Sequence, residues 1–383
     1  MWQIAAVRRA FVVLALLLAG PGTASAATSV TFGITPAAPV YGSTATFSGA
    51  VTPAAAGEHV ELMADTGSGW ALLGTTTTAP NGTYAFAMAA SAPGSYAAQA
   101  PGATSAAVVL ALRPRLTARI VGLPYPGSRL VVRGRLTPAS SGALRLHVGT
   151  RSWAISVRAD GTYTARLPTR HGGRYRARVV FTPNSGYAAT RVSRRYRIRT
   201  PYLAIGSYGR AVLALERRLH RLHYALRHVN KFYGVDTYEA VLAFQKVHRM
   251  TRTGHVGSTV WNRLGTAGIP RARHPRGSHI EVDKTRQVLF EVRRGHVVRV
   301  MHVSTGATGN TPIGRWHVYW KQAGLNSHGM YYSLYWLRGF AIHGYVSVPP
   351  WPASHGCVRI PMWLAPGLYS RWGIGTTVYV YYS

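Results

Sequence analysis

The chain has 383 residues, 47% hydrophobic and 14% charged, enough apolar material for several packed cores and too patterned for a disordered chain. Lysine and arginine number 44 against 10 acidic residues, a formal net charge of +34, so its surface favours anionic partners. A single cysteine, Cys357, excludes a disulfide framework and any zinc site built on cysteine pairs.

Residues 1–26 read as an export signal. Arg8 and Arg9 precede a ten-residue apolar run, Ala10 to Ala19, and Ala24-Ser25-Ala26 supplies a small-x-small cleavage site. The run is too short to span a bilayer, which takes ~20 apolar residues. The expectation is a secreted, wall-associated protein that meets the membrane only during export.

Residues 28–112 contain no lysine or arginine, whereas 113–199 carry 19 arginines and one acid, Asp160. The two stretches are nevertheless a repeat. Gly49-Ala-Val-Thr-Pro53 matches Gly134-Arg-Leu-Thr-Pro138, Asn81-Gly-Thr-Tyr84 matches Asp160-Gly-Thr-Tyr163, and Gly94-Ser-Tyr96 matches Gly173-Arg-Tyr175. Alternating stretches such as Leu130–Leu136 and Tyr175–Phe181, punctuated by Asn-Gly and Asp-Gly turns, predict short strands. Each unit (27–112 and 113–200) resembles a bacterial immunoglobulin-like β-sandwich. In Arg174-Tyr-Arg-Ala-Arg178 the alternation puts the arginines on one solvated strand face. Such a face attracts polyanions; with export, an anionic wall polymer is preferred over nucleic acid as the partner.

From 201 to 266 the periodicity becomes helical. Val212, Leu215, Leu219 and Leu222 form one stripe of a helix opening after Gly209. Asp236 and Glu239 have capping-box spacing ahead of Ala240, Val241, Phe244 and Val247, and Ser258 stands where it would cap a third helix bearing Trp261 and Leu264. Gly209-Arg-Ala-Val212, Phe232-Tyr-Gly234, Thr237-Tyr-Glu-Ala-Val-Leu-Ala-Phe-Gln245 and Gly254-His-Val-Gly257 with Val260-Trp261 together resemble the peptidoglycan-binding helical domain, with Lys231 where that family has an acid. A basic, proline-bearing linker follows at 267–277.

Residues 278–383 return to strands: His279–Asp283, Val288–Val292, Val297–Val303, Gly339–His343 and Val378–Tyr382, with a turn at Thr311-Pro-Ile-Gly314 and one short helix between Pro361 and Trp372. Ser354-His-Gly-Cys-Val-Arg359 holds the thiol, and His343-Gly344 lies 14 residues upstream of it. A free cysteine is mostly protonated at neutral pH, and an imidazole within reach can take its proton, which is the minimum apparatus for acyl transfer. Gly356 lets the backbone turn so that consecutive N–H groups can face a developing oxyanion.

These residues, with Ser304-Thr-Gly306 and Thr311-Pro-Ile-Gly314, resemble the L,D-transpeptidase (YkuD-like) catalytic domain over 278–383. The resemblance implies a β-sandwich with the cysteine in a cleft, Cys357 as nucleophile and His343 as its base. It implies that the Gly344 carbonyl orients the imidazole, that Gly356 and Cys357 supply oxyanion N–H groups, and that Ser354, His355 and Arg359 support the site. In some relatives a tyrosine aids the oxyanion site; Tyr331 and Tyr332 lie in that region, beside Met330. The implied substrate is a peptidoglycan tetrapeptide stem, joined to a second stem in a 3→3 cross-link through a thioester. An L,D-carboxypeptidase, in which water resolves the same thioester, and a non-catalytic wall-binding protein stay open. The spacing shows no His-Glu-x-x-His, so neither metal nor cofactor is expected. The expected fold is multidomain and mostly β: two immunoglobulin-like sandwiches, a small three-helix bundle and a catalytic β-sandwich.

Overall fold

The structure, a computed structural model, describes residues 28–139, 142–184 and 186–383. The export signal lies outside the described residues. The fold is multidomain and mostly β, as the sequence predicts. None of the described helices is long and apolar enough to cross a membrane.

The described residues divide into two compact units, the first comprising 28–115 together with 142, 183–184 and 186–189. In the first unit, Thr44–Thr52 pairs with Thr83–Ala89 in one sheet, and His59–Asp65 lies between Trp70–Thr77 and Gly94–Ala100 in the other. Phe47, Leu62, Tyr84, Tyr96 and Leu110 fill the core. The 183–189 segment, which falls inside the second repeat by sequence, packs here: Ala188 N donates to the Leu112 carbonyl at 2.8 Å.

The second unit contains most of the second repeat, the helices and the C-terminal region. The repeat is visible in three dimensions. Gly49 stands opposite Tyr84 in one sandwich and Gly134 opposite Tyr163 in the other. The tyrosine hydroxyls donate to the carbonyls of Thr31 and Thr117. A Cβ at either glycine would strike both that carbonyl and the hydroxyl, so the residue is dictated by close packing. In the Gly173–Pro183 strand, Ala177, Val179 and Phe181 are buried while Arg174, Arg176 and Arg178 are exposed, as the alternation predicts. Across the ladder Arg174 faces Arg197 and Arg176 faces Arg195.

Three helices follow: α1 (Arg210–Arg221), α2 (Val235–Val247) and α3 (Ser258–Thr266). The predicted stripe on α1 is buried, and Trp261 of α3 donates its indole N–H to the Pro201 carbonyl at 2.8 Å. Neither predicted cap forms. Gly234 and Gly257 occupy the N-cap positions without side-chain caps. Asp236 instead accepts the backbone N–H groups of Arg227 and His228, and Glu239 turns to an indole in the catalytic region. The two carboxylates are thus taken by partners outside their own helix, in place of the local capping pattern.

Residues 278–383 form a two-sheet sandwich. Strands β1 (His279–Asp283), β2 (Val288–Arg293) and β3 (His296–His302) open it; β4 (Gly314–His317), β5 (Trp320–Leu325), β6 (Tyr331–Leu337), β7 (Phe340–Tyr345), β8 (Val358–Pro361) and β9 (Thr377–Tyr381) complete it. One sheet has the order β3-β2-β1-β9-β4 and the other β5-β6-β7-β8. Their inner faces enclose Ile280, Val282, Leu289, Leu334, Ile342, Val358 and Val380, together with Leu368 of helix α4 (Ala365–Arg371). A second core joins the helices to the outer face of the first sheet, where Val288, Phe290 and Val300 meet Leu219, Val241 and Phe244. The segment read as a linker is pinned as well: Arg273 and His274 donate their backbone N–H groups to Glu281, and the His274 ring stacks on Tyr379 at 3.8 Å.

Candidate active site

Strands β7 and β8 run parallel, with Ile342 opposite Val358 and His343 opposite Arg359. Parallel neighbours cannot be joined by a tight turn and need a crossover of about a dozen residues. Residues 346–357 are that crossover, and Cys357 is its last residue, at the mouth of β8. The pairing therefore brings Cys357 beside His343 although 14 positions separate them.

The crossover's end is held by the Ser304–Thr311 region. Ser304 and Arg359 exchange both backbone hydrogen bonds, Thr305 O accepts the N–H groups of Ala353 and Ser354, and Ala307 N donates to Ser354 O. Thr311 Oγ1 donates to the Gly356 carbonyl at 2.7 Å and Asn310 Nδ2 to the His355 carbonyl at 2.8 Å. Lys284 Nζ in turn donates to the carbonyls of Gly309 and Thr311, and Gln287 clasps both the side chain and backbone N–H of Thr305. The two short motifs upstream of the cysteine thus form its cradle. Gly356 adopts φ +134°, and a Cβ there would sit 2.6 Å from the Phe340 ring, so only glycine fits.

Cys357 and His343 line one cavity of about 490 Å³ with His328, Tyr335, Tyr345 and Arg359. His343 Nδ1 lies 2.9 Å from the Gly344 carbonyl. A carbonyl only accepts, so Nδ1 carries the hydrogen and Nε2 keeps its lone pair. Burial pushes the imidazole down to about 4; the Gly344 hydrogen bond opposes this and the Arg359 charge adds to it. Burial also pushes the Cys357 thiol up, against the lowering effects of the Ala341 N–H and of Arg359. Burial of both groups thus favours thiol and imidazole over thiolate and imidazolium. The thiol donates to the Gly339 carbonyl at 3.5 Å, and among the described residues it makes no hydrogen bond to His343.

Ser354 Oγ accepts the Gly356 N–H at 3.0 Å and donates to the Cys357 carbonyl at 2.6 Å. The Gly356 N–H, one of the two expected oxyanion donors, is thus engaged by Ser354 inside the turn in this structure. His355 is exposed at the rim. The Arg359 guanidinium lies 4.1 Å over the Tyr345 ring and makes no ion pair among the described residues. Tyr331 and Tyr332 pack against the sandwich core, away from the cavity lining; Met330 lines the cavity. The tyrosines that face the cysteine are Tyr335, whose hydroxyl donates to Gln322, and Tyr345. Tyr345 was findable, since it stands two residues beyond His343 and so on the same strand face.

With this geometry in view, two family models match the chain: the L,D-transpeptidase catalytic domain (YkuD) over residues 277–380 and the peptidoglycan binding domain over 208–264. A solved L,D-transpeptidase fragment from Xylanimonas cellulosilytica is 36% identical, covering 48% of this chain and 99% of that one, with a TM-score of 0.46. An L,D-transpeptidase from Mycobacterium smegmatis is 11% identical, covering 70% and 99%, with a TM-score of 0.26. No curated protein matches the chain. The chain belongs to the L,D-transpeptidase family and carries a peptidoglycan-binding domain.

Proposed function

We propose that this protein is a secreted cell-wall L,D-transpeptidase that forms 3→3 cross-links through a Cys357 thioester. The observation that carries the reading is the shared cavity, lined by the only thiol, at the mouth of β8, and by the His343 imidazole of the neighbouring parallel strand β7, whose Nε2 has no hydrogen bond among the described residues. In this reading His343 Nε2 takes the thiol proton as Sγ attacks the carbonyl between the third residue and the terminal D-alanine of a stem. D-alanine leaves with that proton. An amine of a second stem then displaces the sulfur. The Cys357 N–H faces the oxyanion, and Arg359, a cation stacked on Tyr345, suits a carboxylate of the donor stem.

The outward arginines of the second sandwich, paired across the Gly173–Pro183 and Thr190–Ile198 strands, support contact with an anionic wall polymer. Together with the peptidoglycan-binding helices, this contact raises the local concentration of substrate on an immobile polymer.

Mass spectrometry of products from purified disaccharide-tetrapeptide tests the reading, with the full chain and its Cys357→Ala form in parallel. A cross-linked dimer lacking one D-alanine, absent with the variant, is expected. Tripeptide alone would assign an L,D-carboxypeptidase, and no cysteine-dependent product would leave a wall-binding protein.

A further inference from the structure

Beside the cysteine cavity lies a groove of about 450 Å³ between helix α2 and the crossover. Tyr238 and Glu239 of α2 form one wall; Val348 and Pro349 of the crossover, with Met362 and Trp363 after β8, form the other. Tyr345 lines both the groove and the cysteine cavity, so the two are neighbours across one residue.

Polar fastenings from the helical domain set the groove's width. The Trp363 indole N–H donates to Glu239 Oε2 at 2.5 Å. Lys246, deep in α2, donates to the carbonyls of Gln287 and Val303 at 3.1 and 2.8 Å and lies 2.9 Å from His302 Nδ1. His302 also hydrogen-bonds the backbone of Val348. Arg252 donates to the Pro350 carbonyl at 2.8 Å and to that of Thr285 at 3.1 Å. The helical domain thus braces the segment that joins His343 to Cys357.

Glu239 is the one acid lining this groove. Its Oε2 holds the indole, and its Oε1 accepts no hydrogen bond among the described residues. The nearest charges are Arg227, 5.6 Å over the Trp363 ring, and Asp236, which is occupied by the Arg227 and His228 N–H groups. Burial pushes Glu239 up to about 7, against the lowering effects of the Trp363 N–H and the Arg227 charge, so it is only partly ionised near neutral pH and an ammonium arriving at its spare oxygen draws it to the carboxylate.

We propose that this groove binds the strand that supplies the amine, with Glu239 receiving its ammonium. The inference rests on the transpeptidase reading, which requires a second substrate bearing an amine. Arg359 makes the cysteine cavity itself hostile to a cation, whereas a carboxylate–ammonium hydrogen bond is charge-assisted. As the strand advances past Tyr345, the ammonium gives one proton to water. The amine nitrogen then forms the amide as the thioester C–S bond breaks, and its proton passes through the His343 imidazole to Cys357 Sγ, restoring the thiol.

Calorimetry on the Cys357→Ala protein tests the groove without the chemistry. The probe is a stem tetrapeptide with a free side-chain amine at residue three, compared with its N-acetylated form. Acetylation should weaken binding at least tenfold, Glu239→Gln should do the same, and the two together should weaken it no further, since both remove one contact. Glu239→Asp should restore part of the loss. Equal affinity for the two probes, or a preference for the amine that survives Glu239→Gln, overturns the proposal. Failure of the unaltered protein to form an acyl-enzyme would count against the transpeptidase reading alone, because the binding comparison still decides the groove.

Discussion

Lys246 Nζ on helix α2 lies 2.9 Å from His302 Nδ1 on strand β3, and both side chains are buried. The amino group of the peptidoglycan-binding helix is thereby sealed inside its contact with the C-terminal sandwich. Burial holds the lysine well below its ordinary value, and the Arg252 charge adds to this.

Replacing Lys246 by Met removes the donor shared by two buried carbonyls and a ring nitrogen. Unsatisfied buried groups cost about 1–3 kcal/mol each, with partial relaxation expected here. We expect a loss of about 3 kcal/mol of unfolding free energy by denaturant titration. A loss under about 1 kcal/mol would show that the helical domain does not depend on this contact.

Stability should fall in acid through buried histidines. His248 and His343 are held down to about 4 and His302 well below its ordinary value, in each case first by burial. Folded values below the ordinary 6.5 mean that the unfolded chain binds protons first as pH drops. Their contribution is present above about 6.5 and is lost as pH falls through about 4. Burial raises Glu239 to about 7 and also raises Glu216, so these two release protons on unfolding, but the three histidines outnumber them. Unfolding titrations at pH 6, 5 and 4 should show a declining free energy with net proton uptake on unfolding; net release there would contradict the assignment.

The rate profile follows from the same burial. A base held at about 4 is already unprotonated at pH 6, so acylation should rise through about pH 4 and be flat from pH 6 to 8. Iodoacetamide should label Cys357 slowly at pH 7 and faster as the thiol ionises above its usual range. An acid limb near pH 6.5 together with fast labelling at neutral pH would indicate a thiolate–imidazolium pair instead.

Gly356→Ala forces a left-handed backbone on an L residue and drives a Cβ into the Phe340 ring. The turn that aims Cys357 must shift, and displacements of about 1 Å cost roughly a hundredfold in rate. The expected outcome is a loss of at least tenfold in acylation, with a fold preserved by circular dichroism. Full activity would mean that the turn does not position the thiol.

The arginine face predicts salt dependence. Removing Arg174, Arg176, Arg195 and Arg197 together should flatten the slope of log affinity against log salt by about 3 units for an anionic polymer, at roughly 0.7–0.9 per phosphate contact. An unchanged slope would place the contact elsewhere.

Much of this protein is legible in one dimension because its signals are local. The repeat and the Val212–Leu222 stripe follow periodicities that a core face enforces, and β1, β2, β3 and β9 are short apolar-rich runs bounded by turn residues. Strands β4, β5, β6 and β8 were missed. β5 buries none of its residues fully and β6 mixes buried and half-buried positions without alternation, while β4 and β8 are only four residues long. Asp236 and Glu239 show the opposite failure, a sound local pattern overruled by partners the chain brings in from elsewhere.

The sequence by itself determined the chemistry on offer: one thiol, a histidine-glycine pair upstream, and glycine where the backbone must turn. Only the tertiary structure decided how that chemistry is arranged. The parallel pairing of β7 with β8 joins His343 to Cys357, Ser354 takes the Gly356 N–H, and Tyr335 and Tyr345 face the cavity where Tyr331 and Tyr332 do not. Residue identities set which bonds can form, but burial and the choice among competing partners depend on segments distant in sequence.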